Sequence, residues 1–95
     1  DCSHANSGKD HTKQPEVFID VLKQIVDGNS GIIGWMVESN LKAGKQRIPD
    51  DLTGFEKSTL EYGVSITDAC MDFETTKDLI LEAYRALSRK FIQVP

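Results

Sequence analysis

The sequence predicts an α/β fold, and three consecutive features carry this prediction. Apolar residues recur at helical spacing from Val17 to Val26, and a tight turn follows at Gly28. An almost unbroken apolar run then occupies residues 32–37. Such a run is typical of a strand covered on both faces, as in a parallel sheet. Helix, turn and buried strand together form half of a βαβ unit.

The first part of the chain divides into three predicted elements. Residues 1–4 are interpreted as the end of a preceding strand. We expect the first helix over 15–27, because Pro15 suits the first turn of a helix and Gly28 suits its C-terminal cap. A strand over 32–38 follows directly.

The pattern weakens between residues 41 and 75, where several glycines and Pro49 interrupt it. A structureless loop of this length is unusual inside a compact domain unless it serves a function. We expect short helical pieces near 55–60 and 67–72. The loop is therefore predicted to carry part of a functional site.

The last helix is predicted over 75–92. Thr75 can cap its start, with Asp78 three residues later. The apolar residues of this segment share one helical face: Leu79, Ile80, Ala83, Tyr84, Leu87 and Phe91.

Composition excludes several classes of protein. A chain of 95 residues forms one small domain at most. Its 11 basic residues are scattered and outnumbered by 15 acidic ones, for a net charge of −4, so no nucleic-acid partner is expected. No apolar stretch approaches the roughly 18–20 residues that span a bilayer, and no signal peptide is evident.

Cys2 and Cys70 are the two cysteines of the chain. They could pair in a disulfide, but nothing else in the sequence indicates an oxidising compartment. Free thiols are the usual state of cytosolic cysteines. We therefore expect two free cysteines, with Cys70 buried in the packing, and a cytoplasmic protein.

His4, Glu38 and Asp68 are the candidate metal ligands. Each lies in a short block with small polar neighbours, and His4 and Glu38 follow two inferred strands. Strands of a sheet lie about 4.8 Å apart, so both side chains could reach one ion. One imidazole and two carboxylates suit a divalent metal such as manganese, iron or zinc.

Spacing alone leaves other interpretations of these residues open. His4 could be a loop residue that makes only hydrogen bonds. Glu38 ends an apolar run, so its carboxylate must be paired, coordinated or exposed. Asp68 could cap a short helix.

Three blocks of sequence carry a resemblance to a known family. They are Ser-His-Ala-Asn-Ser at 3–7, Val-Glu-Ser at 37–39, and Tyr-Gly-Val-Ser-Ile-Thr-Asp-Ala-Cys at 62–70. Their order and spacing resemble the C-terminal end of the phospho-2-dehydro-3-deoxyheptonate aldolases, also called DAHP synthases. The sequence around Cys2 is similar to that of fungal members of the family. In those members this cysteine is present in addition to the metal-binding cysteine, and it packs in the barrel.

The resemblance implies a (β/α)₈ barrel, of which residues 1–95 are the C-terminal segment with the last two strands and their helices. A first residue other than Met fits this expectation of an incomplete domain. The resemblance also implies that His4, Glu38 and Asp68 bind manganese, iron, zinc or cobalt. The fourth ligand of the family is a cysteine far upstream, with no counterpart here.

The implied activity is the first step of the shikimate pathway. Phosphoenolpyruvate condenses with erythrose 4-phosphate to give 3-deoxy-D-arabino-heptulosonate 7-phosphate and phosphate. Asp68 is a candidate catalytic residue that orients the aldehyde or relays a proton. The family's phosphate-binding residues lie upstream, so the isolated chain is expected to be inactive. We also expect it to form a homo-oligomer or to bind the rest of its barrel.

Two alternatives of other kinds are considered. A stand-alone metal-binding or interaction module would explain the short length. A related sugar-acid phosphate synthase would use a different aldose phosphate, although the block at 65–70 favours the heptulosonate enzymes.

Overall fold

The computed structural model describes residues 1–91, which contain two α-helices joined by long irregular segments. Helix α1 spans Gln14–Val26 and helix α2 spans Phe73–Phe91. Three short 3₁₀ helices accompany them, at Ala5–Ser7, His11–Lys13 and Lys57–Thr59. None of the helices in the described part of the chain is both long enough and apolar enough to cross a membrane.

Helix α1 confirms the predicted helix at 15–27 to within one residue at each end. Its buried apolar face consists of Phe18, Leu22 and Ile25. After the last turn, Gly28 adopts a φ of 114° and its N–H donates to the carbonyl of Ile25 at 3.1 Å. A positive φ is readily adopted by glycine, which explains why the helix ends where the sequence predicted.

Helix α2 begins two residues before the predicted start at residue 75, and the predicted Thr75 cap is wrong. The carboxylate of Asp72 accepts a hydrogen bond from the Thr75 N–H at 2.8 Å, so Asp72 is the capping side chain. Aspartate is at least as good an N-cap as threonine. This hydrogen bond also lowers the pKa of Asp72. Residue 92, the predicted end of the helix, lies outside the described residues.

The predicted face of α2 is only partly buried. Leu79 and Ala83 contact the core, whereas Ile80 and Tyr84 are exposed. The single helix α1 covers one stripe of α2. A wide apolar stripe on a helix requires more than one packing partner.

The predicted strand at 32–38 is not formed, and residues 1–91 contain no strand longer than an isolated bridge. The Cys2 N–H donates to the Met36 carbonyl at 2.9 Å, but this bond is not extended into a ladder. A strand requires a continuous backbone partner. Residues 1–4 form no strand in the described chain for the same reason.

The long loop is organised by backbone bridges. Gly44 pairs with Cys70, Lys45 with Ser65, and Ser39 with Met71. The 3₁₀ helix at Lys57–Thr59 lies within the helical piece predicted near 55–60. The helical piece predicted at 67–72 is wrong, because residues 66–68 form a bend, and the backbone of Cys70 and Met71 pairs with Gly44 and Ser39.

The core is formed between α1, α2 and the chain around Met71. Its buried members are Cys2, Phe18, Leu22, Met71, Leu79 and Ala83. Trp35 stacks on Phe18 with ring centroids 4.7 Å apart. Cys2 and Cys70 are both free and buried, as predicted. Burial raises the pKa of the Cys2 thiol, which keeps it protonated within the packing.

Candidate metal centre

The structure brings the three candidate ligands together from three separate loops. His4 precedes the first 3₁₀ helix, Glu38 ends the irregular segment 32–38, and Asp68 lies in the long loop. One ligand atom from each lies within 4.8 Å of the other two. Residues 34 and 64 positions apart from His4 in sequence thus meet at one point.

The distances within this cluster suit a shared metal ion. His4 Nε2 lies 3.1 Å from Glu38 Oε1 and 3.4 Å from Asp68 Oδ2. Two ligands that are each roughly 2.0–2.2 Å from one ion are separated by about 3–4 Å. The donor set of one imidazole and two carboxylates therefore fits a first-row divalent metal in both chemistry and spacing.

His4 is oriented by Asp1, which the sequence analysis did not identify. Asp1 Oδ2 lies 2.8 Å from His4 Nδ1. The other oxygen of Asp1 accepts hydrogen bonds from the N–H groups of Ser3, at 2.8 Å, and His4, at 3.2 Å. With a proton on Nδ1, the Nε2 lone pair is directed at the cluster, as in carboxylate–histidine–metal sites. A carboxylate three residues before a candidate histidine was the available signal.

Glu38 has two supporting residues, which were also missed. The Ser3 hydroxyl donates to its Oε1. The Gln14 side chain accepts from the Glu38 N–H at 3.0 Å and donates to the Glu38 carbonyl at 3.2 Å. No sequence signal distinguished Gln14, which looked like a polar residue ahead of Pro15.

Asp68 is the most accessible of the three candidates, with 58% of its side chain exposed. Its loop is fixed on both sides: Ser65 Oγ accepts from the Thr67 N–H at 3.1 Å, and Cys70 pairs with Gly44. No helix of the described chain starts at Asp68, so the alternative interpretation as a helix cap is wrong. Its carboxylate is therefore the part of the cluster that is most accessible to solvent.

A small cavity of about 90 Å³ lies at the cluster. Its lining combines the three candidate ligands with two lysines and two small residues: Ser3, His4, Lys9, Glu38, Lys45, Asp68 and Ala69. Lys9 has a φ of 61°, a conformation that non-glycine residues rarely adopt. Because the lining contains two carboxylates and an imidazole as well as two lysines, it suits a cation together with an anionic ligand.

Comparison with known proteins gives a consistent answer. A family model described as the DAHP synthetase I family matches residues 1–81. The phospho-2-dehydro-3-deoxyheptonate aldolase AMT16 of Alternaria alternata is 48% identical over 90 residues, which are 95% of this chain and 23% of that protein. The tyrosine-inhibited enzyme of Candida albicans is 46% identical over 90 residues, covering 95% of this chain and 24% of its own length.

A solved structure agrees with these sequence matches. The phospho-2-dehydro-3-deoxyheptonate aldolase of Francisella tularensis matches with a TM-score of 0.77 and 44% identity, over 94% of this chain and 24% of that one. The chain thus spans about a quarter of the length of its relatives. On the family match and the identity of these relatives, the chain belongs to the DAHP synthetase I family.

Proposed function

We propose that this chain is the metal-bearing C-terminal segment of a DAHP synthase, in which His4, Glu38 and Asp68 supply three protein ligands to one divalent ion. The observation that carries the proposal is the convergence of these three side chains within 4.8 Å. Manganese, iron, zinc and cobalt all accept such a ligand set. When bound, the metal would act as a Lewis acid on an aldehyde oxygen or activate a water molecule.

The residues of the chain have distinct proposed roles. Asp1 holds the imidazole of His4 with Nε2 directed at the ion, and Ser3 orients the carboxylate of Glu38. Asp68 is the proposed catalytic residue, which orients the sugar aldehyde or relays a proton. Its exposure supports this role, because an accessible carboxylate can contact both the ion and a substrate.

The proposed substrates are phosphoenolpyruvate and erythrose 4-phosphate, acting in a longer protein. Both carry phosphate, and Lys9 and Lys45 give the cavity two positive groups beside the cluster. The names of the relatives favour these substrates over those of a related sugar-acid phosphate synthase. We expect no release of phosphate from the two substrates by the isolated chain, because it spans about a quarter of its relatives.

We further propose that the chain forms the closing part of a (β/α)₈ barrel, with the irregular segment 32–38 completed as a strand by the rest of the barrel or by another copy. Among the described residues, the backbone of this segment forms hydrogen bonds at Met36 and Glu38 alone, and Ile33 is fully exposed. Both observations support this proposal. An apolar groove of about 540 Å³ between Trp35, Ile25 and Leu87 offers a surface for the association. The free, buried cysteines support a cytoplasmic location.

Metal titration of the chain tests the central proposal. We expect one Co²⁺ per chain, with a visible absorption band that reports nitrogen and oxygen ligands. The substitutions His4→Ala, Glu38→Ala and Asp68→Ala should each abolish stoichiometric binding. The matched control is His11→Ala, which removes the other histidine and should leave binding unchanged. Retention of wild-type affinity in the His4→Ala variant would falsify the assignment.

A further inference from the structure

Gln14 is a fully buried polar residue, with 0% of its surface exposed, at the first position of α1. A buried amide is costly unless its hydrogen bonds are satisfied. The side-chain amide of Gln14 makes both hydrogen bonds with one residue: Oε1 accepts from the Glu38 N–H, and Nε2 donates to the Glu38 carbonyl. Gln14 therefore pairs with Glu38 much as a neighbouring strand would.

The backbone of Glu38 is fixed from two directions. Gln14 contacts it from the side of α1, and the Met71 N–H donates to the same carbonyl at 2.9 Å from the side of the long loop. The side chain then extends into the cluster, where Ser3 and His4 meet its Oε1. The position of this carboxylate thus depends on a backbone that hydrogen bonds to helix α1 hold in place.

We infer that Gln14 is a positioning residue for the metal centre, acting through the main chain of Glu38; this inference rests on the proposed function. Supporting residues of this kind change metal affinity because a ligand must be held in place before the ion arrives. Removing the amide leaves the Glu38 N–H without its partner and releases the carboxylate to move. Gln14 itself does not touch the candidate ligand atoms.

A second glutamine in the chain provides a matched control. Gln46 Oε1 accepts from the Glu61 N–H at 2.9 Å, and its Nε2 donates to the Glu61 carbonyl at 2.8 Å. Gln46 thus pairs with the Glu61 backbone as Gln14 pairs with that of Glu38, and its Nε2 also donates to the Val64 carbonyl at 2.9 Å. The carboxylate of Glu61 pairs with Lys42 at 2.9 Å and is not part of the cluster. Replacing Gln46 thus removes a similar pair of side-chain hydrogen bonds from a glutamate that is not a candidate ligand.

The experiment compares Gln14→Met and Gln46→Met in the full chain, with Co²⁺ alone as the probe. Methionine keeps the length of the side chain and removes its hydrogen bonds. We expect Gln14→Met to raise the Co²⁺ Kd by roughly 10- to 100-fold and to change the visible spectrum. Gln46→Met should leave both within about twofold of wild type.

The outcomes separate this inference from the proposed function. If wild type binds no Co²⁺, the proposed metal centre fails and the inference fails with it. If wild type binds Co²⁺ and Gln14→Met binds it equally well with the same spectrum, only the inference is overturned. The inference is also overturned if Gln14→Met and Gln46→Met weaken binding equally. Hydrogen exchange on wild type gives a test that requires no folded variant: the Glu38 amide should be protected, and exchange at the rate of an unbonded loop amide would overturn the inference.

Discussion

The part of the molecule around His4, Glu38 and Asp68 differs from the part around Ile33 in where its support comes from. At the first, called the ligand end, each candidate ligand or its loop is held by hydrogen bonds from within the chain. At the second, called the apolar end, Ile33 is 100% exposed beside a groove lined by Ile25 and Trp35. Nearby residues of the chain thus supply hydrogen bonds to the candidate ligands, whereas covering Ile33 requires more apolar surface than the described chain provides.

This difference has a physical origin. A hydrogen bond requires one partner at about 2.9 Å, so a few loop residues can satisfy a cluster of polar groups. An apolar strand requires a neighbour along its whole length and cover on both faces. We therefore expect changes at the ligand end to alter metal binding without altering association, and changes at the apolar end to do the reverse.

Among the substitutions that compare the two ends, Asp1→Asn is expected to have the largest effect. This substitution keeps the shape of the side chain but removes the charge beside His4 Nδ1, and it lets the imidazole turn away from the cluster. We expect the Co²⁺ Kd to rise by roughly 10- to 100-fold, as for other residues that support a metal ligand. Titration followed by visible absorption measures the change.

Asp10→Asn is the control for that substitution. Asp10 also accepts a hydrogen bond from a backbone N–H two residues later, that of Thr12, but it does not contact His4. Its replacement should leave the Kd unchanged. Equal weakening by both substitutions would mean that general negative charge, not the contact with His4, supports binding.

A smaller effect is expected at the apolar end from Ile33→Glu. Wild type should associate at low micromolar concentration, because association covers the apolar groove together with the exposed Ile33. The burial of Ile33 alone contributes about 1.5–3 kcal/mol of this. The charge should weaken association by about tenfold or more, as measured by sedimentation, and leave the Co²⁺ Kd unchanged. Tyr62→Glu, at a residue that is 85% exposed in the long loop, is the control. A wild-type monomer of 10.6 kDa under these conditions would contradict the prediction.

The same contrast explains what the sequence could predict. Helices α1 and α2 were predicted because each leaves a local signal: apolar residues on one face, with Pro15 and Gly28 at the ends of α1. The strand predicted at 32–38 is not formed in the described chain, because its apolar run indicates a need for partners without showing that they are present. A strand depends on distant residues in a way that a helix does not.

The sequence was sufficient to predict the candidate ligands, but not the residues that hold them in place. His4, Glu38 and Asp68 are residue types with metal-binding chemistry, and their blocks resemble a known family. Asp1 and Gln14 act through hydrogen bonds whose partners are known only once the chain is folded. In particular, the pairing of Gln14 with Glu38 joins residues 24 positions apart, and no periodicity in the sequence indicates it.

The smallest effect is expected from the cap of α2, where Asp72→Asn should change how helicity depends on pH. The Thr75 N–H lowers the pKa of Asp72 in the folded chain below its ordinary value of 3.8. A lowered folded pKa stabilises the fold above pH 3.8, and this contribution is lost as the pH falls through the lower value. Asparagine also caps helices well but does not titrate in this range.

Thermal melts followed by circular dichroism between about pH 6 and pH 2 should therefore show a weaker acid dependence for Asp72→Asn than for wild type. The carboxylates of Asp10 and Asp51 make similar bonds to Thr12 and Thr53 and titrate equally in both proteins, so they cancel in the difference. Identical acid dependence in the two proteins would show that the Asp72 cap does not stabilise α2.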